Sequence, residues 1–508
     1  MNFEKKLKTF DEATELVAAL KKAEKRTVMS YGVFDILHPG IIRHLQMAKR
    51  QGDMLLVCVV ANKQVRRGPE RPIFDEALRL ENAAAIEFVD YVCLVDEGDP
   101  YECVKKIKPD VFAKGESFED RDKKTLKKLE REEKSVRDIG CHIYVTENVG
   151  SSTSIINQFL DLYSERTKKY LKIIREKYGA ESIIEQLKGL KDMKVLVIGD
   201  GIIDEYHYCE SMGRSSKVPL VVERFLSREV FAGGVFAAAN HIAGLCGEVR
   251  MVSVLGDRNS EKNFILSRLA PNIKPEFFTR ANSGTIVKKR FVEEYSGSKL
   301  FEICSLDKGY ISQKEEAGIL KYLNSEVHKY DLVLALDFGH GLFTEKIIAC
   351  LGRKAKFLSV NAQTNSANSG FNMITKYGKV DFGCLTETEA RLACHDEYGQ
   401  IEGVIETLAH RIKARSLIMT RGNRGSIGYS RSEKGFDHTP ALSSKVVDRV
   451  GAGDAFFSFA APCAAKKMPL DLVSFVGNAA GAIAVQIVCN RESVKTKALY
   501  QFIHSLLS

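Results

Sequence analysis

Two short stretches carry residue types at spacings that suit chemistry on phosphate. The first is DRVGAGDAFFSF, residues 448–459. Gly451, Ala452 and Gly453 allow a tight turn that opens a helix. Backbone N–H groups there point at an anion, and the helix end adds positive potential. Asp454 stands at the start of that helix. A carboxylate beside an anion hole is electrostatically unfavourable unless it has a task. The natural task is to accept the proton of a hydroxyl that attacks a phosphoryl group. Aspartate is also a favoured helix cap, so the motif alone admits a purely structural reading.

The second stretch is SYGVFDILHPGIIRHL, residues 30–45. An apolar run over 27–33 leads into Asp35 and His38, and His38-Pro39-Gly40 opens a helix. A histidine and free helix N–H groups at a strand-to-helix junction suit a nucleotide phosphate held in line for attack. Ile41, however, occupies the first helical turn, where such a site wants a polar group.

The elements that must position both stretches alternate. RTVMSYGVF, DMLLVCVVA, DYVCLV, DVFAKG and HIYVTE read as strands, separated by helices over 39–51, 75–88, 100–107 and 122–138, after a first helix over 10–25. The strands are continuous apolar runs, the pattern of a parallel sheet covered on both faces. Residues 155–178 read as one long helix ended by Gly179, and 181–189 as a shorter one. From 194, KVLVIGDGIIDEY starts a second α/β segment, continued by EVRMVSVLG, DLVLALDFG, KFLSV and SLIMTRG. The alternating stretches 206–234 and 285–307 predict a small projecting sheet. Segment 121–137 holds eight basic and four acidic residues. It reads as a solvated helix face, with a substrate-contacting lid as the alternative.

Composition sets the frame. The chain has 508 residues, 44% hydrophobic and 28% charged, with net charge +9. That is globular composition for two to four domains, without the dense basic stripe of a nucleic-acid reader. The twelve cysteines show no metal-ligand spacing. No signal peptide is visible, and no apolar run reaches the roughly 18–20 residues of a membrane helix. A cytoplasmic protein with no membrane or nucleic-acid partner is the expectation.

Around the first motif the chain resembles the PfkB (ribokinase-like) sugar kinases, in particular the kinase half of the bifunctional heptose kinase/nucleotidyltransferases. VLVIGDGIIDEYHY, SSKVPLVV, FAGGVFAAANHIAGL, GTIVKKRFV, LALDFGHG, CLTETEA and LIMTRGNRG precede VVDRVGAGDAF in the family's order over about 194–490. The resemblance implies a ribokinase-like α/β fold with a small β lid. It makes Asp454 the base and puts the transferred phosphate on the backbone of Gly451, Ala452 and Gly453. Asp200, Asp204, Gly233, Gly234, Asn240, Lys288 and Asp337 are implied on the sugar side. Thr420, Gly422 and Gly425 are implied at the nucleotide, and Glu389 near a magnesium–phosphate cluster. There are departures. Ala237 stands where the heptose kinase has asparagine, Asn361-Ala362-Gln363 replaces DPK, and Thr386 replaces the Asn of NxxE. The expected sugar therefore differs from that heptose.

Residues 27–160 resemble the cytidylyltransferase-like nucleotidyltransferases. The matching blocks are YGVFDILHPG, GDMLLVCVVAN (52–62), RRGPERPIFDEALR (66–79), IKPDVFAKGESF (107–118) and VGSSTSII (149–156). The resemblance implies a Rossmann-like domain with His38 catalytic. Gly32, Phe34, Asp35, Gly40, Arg79, Lys114, Gly115, Ser152 and Thr153 are implied around the nucleotide. The family motif is HxGH, and here it reads His38-Pro39-Gly40-Ile41. Losing one donor to a reacting phosphate costs on the order of 100–1,000-fold in rate. His44, one turn further, reads as an exposed helix residue, with compensation for the missing histidine as the alternative. Three readings stay open: an altered working transferase, a binder of nucleotide or sugar phosphate, and a structural or dimerisation module.

The expected organisation is a nucleotidyltransferase domain over 1–160, a helical linker over 161–192 and a kinase domain over 193–508, in reverse order to the heptose enzyme. The expected activity is phosphorylation of a sugar by Mg2+ and ATP, coupled to nucleotidyl transfer from CTP or ATP to the sugar phosphate. The alternative is a sugar kinase with a degenerate N-terminal domain. Ribokinase-like lids often dimerise, so a homodimer is expected by resemblance.

Overall fold

The computed structural model describes residues 3–65, 68–115, 130, 133–146, 163–433 and 435–508. The chain divides into two compact units, Met1–Ser164 with His504–Ser508, and Glu165–Ile503.

The first unit is built on six strands: β1 (Leu7–Lys8), β2 (Thr27–Gly32), β3 (Met54–Val60), β4 (Tyr91–Val95), β5 (Val111–Gly115) and β6 (His142–Thr146). Their order is β1-β4-β3-β2-β5-β6, and every neighbouring pair is parallel. All seven residues of β3 are buried, as its unbroken apolar run requires in a sheet covered on both faces. Helices Phe10–Lys22, Pro39–Lys49, Glu76–Ala84 and Pro100–Ile107 lie between the strands. Their starts are fixed by side chains. Thr9 and Glu12 form a reciprocal capping box, and Asp75 and Asp99 accept from Leu78 N and Tyr101 N. The strand order reverses between β2 and β5, so the crevice beyond their C-terminal ends is where such a sheet binds ligands. His38 follows β2, and Lys114 lies at the end of β5.

The second unit holds a nine-stranded sheet and a four-stranded one. In chain order the strands are β7 (Lys194–Gly199), β8 (Gly201–Arg214), β9 (Val221–Gly234), β10 (Glu248–Arg258), β11 (Ile273–Gly284), β12 (Ile286–Glu293) and β13 (Lys299–Ser305). They continue as β14 (Leu332–Asp337), β15 (Leu358–Ala362), β16 (Phe382–Thr386), β17 (Ser416–Thr420), β18 (Ser426–Ser430) and β19 (Gly435–Thr439). The large sheet runs β11-β10-β7-β14-β15-β16-β17-β18-β19. It is parallel through β17, and β18 and β19 close it antiparallel. β14 and β15 are buried along their whole length. The helix Ala452–Ala465 is buried from Asp454 to Ala464, and its Phe457 stacks on Phe382 of β16. The small sheet is β13-β12-β8-β9. An aromatic row crosses it: His207 stacks on Phe291, and Phe291 on Phe301.

Two expectations change. The long helix over 155–178 is not continuous: residues 163 and 164 are not helical, and the helix is Glu165–Lys177, with 155–162 outside the described residues. The projecting sheet begins at Gly201, earlier than the expected 206, because β8 follows β7 after a single residue, Asp200. Among the described residues no helix is long and apolar enough to cross a membrane.

Candidate active sites

Asp454 is the third residue of its helix and is buried. Its Oδ1 accepts from Gln363 Nε2 at 2.8 Å, and the same nitrogen donates to Asn361 Oδ1 at 2.9 Å. Asn361 is held in turn by Cys384 O at 2.8 Å. Asn361 and Gln363, at the end of β15, thus form a bracket for the carboxylate. Burial pushes the Asp454 carboxyl up to about 7, aided by Asp204 and Glu389 and opposed by the Gln363 bond and the Lys288 charge. A carboxylate tuned there is a competent proton acceptor near neutral pH.

The turn before it is open. A Cβ on Gly453 would meet nothing within 4 Å, whereas Gly451, at φ +86°, has Asn490 Oδ1 only 2.4 Å from where its Cβ would be. The turn is anchored by Asp448, which accepts from Tyr206 OH at 2.7 Å, Lys299 Nζ at 2.5 Å, Val450 N at 3.1 Å and Cys489 N at 3.0 Å. Tyr206 and Lys299 belong to the small sheet, so the anion turn and the projecting sheet are tied together. Asp448, Gln363 and Asn490 were not singled out as functional from the sequence. The Asp448 carboxylate three residues before Gly451 was the available signal.

The sugar-side residues fall into three groups. Asp204 lies against Gly233, where a Cβ would stand 1.9 Å from its Oδ2, and pairs with Arg290 at 2.5 Å. Lys288 faces Asp204 in the β8–β12 register, and its ammonium has no hydrogen bond or ion pair among the described residues. Its charge acts on both Asp454 and His340. Gly234, at φ +56°, starts the helix Val235–Leu245. Asp200 accepts from Phe338 N (3.0 Å) and His340 N (3.3 Å) on one oxygen, and burial with the nearby Asp337 pushes it up to about 7.

Asp337 and Asn240 are placed differently from expectation. Asp337 is 1% exposed and accepts from Lys376, Tyr377, Asn372 and Gly339, which makes it the anchor of the 338–341 loop. Asn240 bonds Arg268 O and Ala270 N and holds its helix to the following turn.

On the nucleotide side, Thr420 ends β17, and Gly422 and Gly425 both have positive φ. A Cβ on Gly425 would stand 2.0 Å from Thr439 O. Arg421 and Arg424 of this turn, with Arg391, surround Glu387. Glu389 does not fit a metal ligand. Its oxygens accept from Thr364 N, Thr386 N and Thr386 Oγ1, and it completes a capping box with Thr386. Among the described residues no group of three or more His, Cys, Asp or Glu could hold a metal ion.

In the first unit, His38 caps the helix Pro39–Lys49 and accepts from Gly40 N on Nδ1 at 3.1 Å. With Nδ1 accepting, the proton of the neutral ring sits on Nε2, and burial lowers the ring's pKa. Asp35 accepts from Ile73 N, Phe74 N and Arg71, a buried clamp on the 71–74 loop. Gly32 packs 3.2 Å, measured from a built Cβ, under the ring of Phe34, which has φ +50°. Arg79 is corrected. It is 0% exposed, and its three nitrogens bond Phe74 O, Val33 O and Asn62 Oδ1, so it is turned inward, away from any phosphate at the surface. Lys114 pairs with Glu133 at 2.5 Å, and Gly115 beside it borders open space. Ser152 and Thr153 lie outside the described residues. Ile41 packs against the apolar cluster that includes Val28, Phe34 and Leu45. His44 is also corrected. It is not an exposed residue, because Ser30 Oγ meets its Nε2 at 2.8 Å and Thr146 Oγ1 its Nδ1 at 2.7 Å.

A parallel α/β sheet, a buried carboxylate at a helix start and an open glycine turn define a phosphotransferase of the ribokinase-like class. The chain belongs to the pfkB family of carbohydrate kinases, whose model matches residues 192–496. A cytidylyltransferase-like model matches residues 29–159. The chain is 41% identical over 123 residues to the bifunctional protein HldE of Campylobacter jejuni, covering 24% of this chain and 26% of that one. It is 37% identical over 115 residues to the HldE of Trichlorobacter lovleyi, covering 22% and 23%. The chain thus spans about a quarter of the length of these relatives. A phosphofructokinase-2 mutant from Escherichia coli aligns over 61% of this chain and 99% of its own, with TM-score 0.50 and 14% identity, a likeness of fold.

Proposed function

We propose that the second unit transfers the γ-phosphoryl group of ATP to a sugar hydroxyl, with Asp454 as the base and the backbone of residues 451–453 holding the transferred phosphate. The observation that carries this reading is the bracketed, buried Asp454 beside the open Gly453 turn. Gly233, Asp204 and Lys288 border the sugar, and the 420–425 turn borders the nucleotide. The nucleotide would enter as its magnesium complex.

The first unit we assign to nucleotidyl transfer from CTP or ATP onto the sugar phosphate, with His38 Nε2 as donor to the reacting phosphates. The pairing of a kinase model and a cytidylyltransferase-like model in one chain supports a coupled path to an activated sugar. One observation favours a second reading, in which this unit binds nucleotide without turning it over. Ile41 sits in an apolar cluster, and His44 is committed at both ring nitrogens, so neither replaces the missing donor. The aromatic row on the small sheet suits pairing of two copies, and twelve unpaired thiols suit a reducing cytoplasm.

The test is product release from the full chain with Mg·ATP, Mg·CTP and a panel of sugars and sugar phosphates. ADP release abolished by Asp454→Asn supports the kinase; ADP release that survives it overturns the kinase. Pyrophosphate release supports the transferase, and its absence across all pairs overturns that assignment.

A further inference from the structure

Asp448 is buried, 4% exposed, and stands three residues before Gly451. Its Oδ1 accepts from Lys299 Nζ and Val450 N, and its Oδ2 from Tyr206 OH and Cys489 N. Two of these donors are main-chain groups, one in the turn and one in the segment beside it. The other two come from the small sheet, 149 and 242 residues away in sequence. Burial works against the ionised form, yet the Lys299, Tyr206 and Val450 bonds hold the carboxyl below its usual range. Asp448 is therefore a carboxylate at neutral pH, and Lys299 is the paired charge that a buried carboxylate requires.

The same cluster reaches the acceptor side. The Lys299 ammonium stands 5.5 Å from the centre of the Tyr206 ring, and the Arg290 guanidinium 5.9 Å from it. Arg290 in turn donates to Asp204, and Asp204 lies against Gly233. Tyr206 belongs to an apolar cluster with Phe231, Val292 and Cys489, and Val450 of the turn packs against that cluster. Asn490 joins the two glycine stretches. A Cβ on Gly233 would stand 3.4 Å from its Nδ2, and one on Gly451 would stand 2.4 Å from its Oδ1. The turn is thus seated on the small sheet by contacts that run unbroken from Asp204 to Gly451. A misplacement of about 1 Å at such a point costs on the order of 100-fold in rate.

We infer that Lys299 and Tyr206 are positioning residues for phosphoryl transfer, which through Asp448 fix the 449–453 turn where the transferred phosphate rests. This rests on the kinase reading above, and the two fail in different measurements. Two readouts are taken on the full chain: kcat and KM for ADP formation with the sugar panel, and amide hydrogen exchange over residues 448–456 without substrate. Lys299→Met should lower kcat by about tenfold or more while KM for ATP stays within about threefold. It should also speed exchange over 448–456 by about tenfold or more. Lys299→Arg keeps a cation beside Asp448 and should restore both readouts to within about threefold of the native chain. Tyr206→Phe removes one bond without stranding a charge, so it reports on the same turn if Lys299→Met does not fold. It should speed exchange there by about threefold or more. Exchange over 448–456 that is unmoved in every folded variant overturns the inference. So does a kcat kept at the native value while exchange rises, or an arginine variant no better than methionine. If the native chain releases no ADP with any sugar, the kinase reading falls alone, and the exchange comparison still upholds or overturns the seating of the turn.

Discussion

Gln363 Nε2 donates to Asp454 Oδ1 at 2.8 Å, and this bond stabilises the ionised carboxylate in a site that otherwise favours the protonated acid. Burial raises the Asp454 pKa to about 7, and Gln363 works against the rise. A base must be deprotonated to act, so kcat/KM for ADP formation is expected to climb with pH through about 7. Gln363→Leu removes the opposing bond and should move that limb to higher pH. A limb that stays in place would show that another group titrates. Asp454→Asn should cut kcat by about 100- to 10,000-fold, the usual range for a lost general base.

The same carboxylate carries a stability cost. Its folded pKa is raised above the roughly 3.9 of an unfolded chain, so the penalty is absent below about 4, grows above it, and is complete above about 7. Asparagine keeps an oxygen for Gln363. Asp454→Asn is therefore expected to raise the thermal midpoint at pH 8 and to leave it nearly unchanged at pH 4. An equal shift at both values would point to packing instead of charge.

Arg290 holds Asp204 at 2.5 Å and Glu302 at 2.7 Å with only 13% of its side chain exposed. Removing one partner of a buried pair strands the other, at a cost of about 3–5 kcal/mol. Arg290→Met should lower the urea-unfolding free energy of the second unit by an amount in that range. The loss should shrink in the double variant with Asp204→Asn, since the stranded charge is gone. A double variant as unstable as the single one would assign the effect to lost packing.

Much of this was legible because apolar runs mark buried parallel strands and glycine turns mark anion sites. β3, β14 and β15 are buried end to end, as their runs imply, and the turn before Asp454 is open where its small residues place it. Strands β1, β11, β16, β18 and β19 were not read. IKPEFFTRANSG contains proline, and SIGYS and GFDHT are short, so their state is set by pairing with a neighbour rather than by local pattern. The roles of Gln363 and Asn490 depend on contacts with Asp454 and Gly451, far away in sequence, which no spacing rule reaches. Arg79 misled because a basic residue after a basic loop reads as a surface contact, whereas its three bonds fasten residues 33, 62 and 74 from inside.

His44 joins the helix Pro39–Lys49 to β2 through Ser30 and to β6 through Thr146. Burial holds its ring down to about 4, so the fold favours the neutral form. An unfolded histidine titrates near about 6.5. The contribution is thus complete above about 6.5 and is lost as pH falls toward 4. His44→Gln should flatten that part of the stability–pH curve for the first unit, read by urea unfolding at pH 7 and pH 5. An unchanged slope between those values would show that the ring's neutrality does not support the fold.

Ile41 stands where the cytidylyltransferase-like motif carries its second histidine, and its side chain contributes to the cluster around Phe34 and Leu45. Ile41→His trades part of that packing for a donor on the first turn of the helix that His38 caps. The packing loss is modest, because Ile41 is only partly buried. A donor to a reacting phosphate is worth on the order of 100–1,000-fold in rate. If the first unit is a transferase weakened at this one point, Ile41→His should raise pyrophosphate release from Mg·CTP or Mg·ATP with a sugar phosphate at least tenfold. The thermal midpoint should drop by only a few degrees. Pyrophosphate release that stays at background in a folded variant would mean that the loss runs beyond one histidine, and the unit would then stand as a nucleotide-binding module beside the kinase.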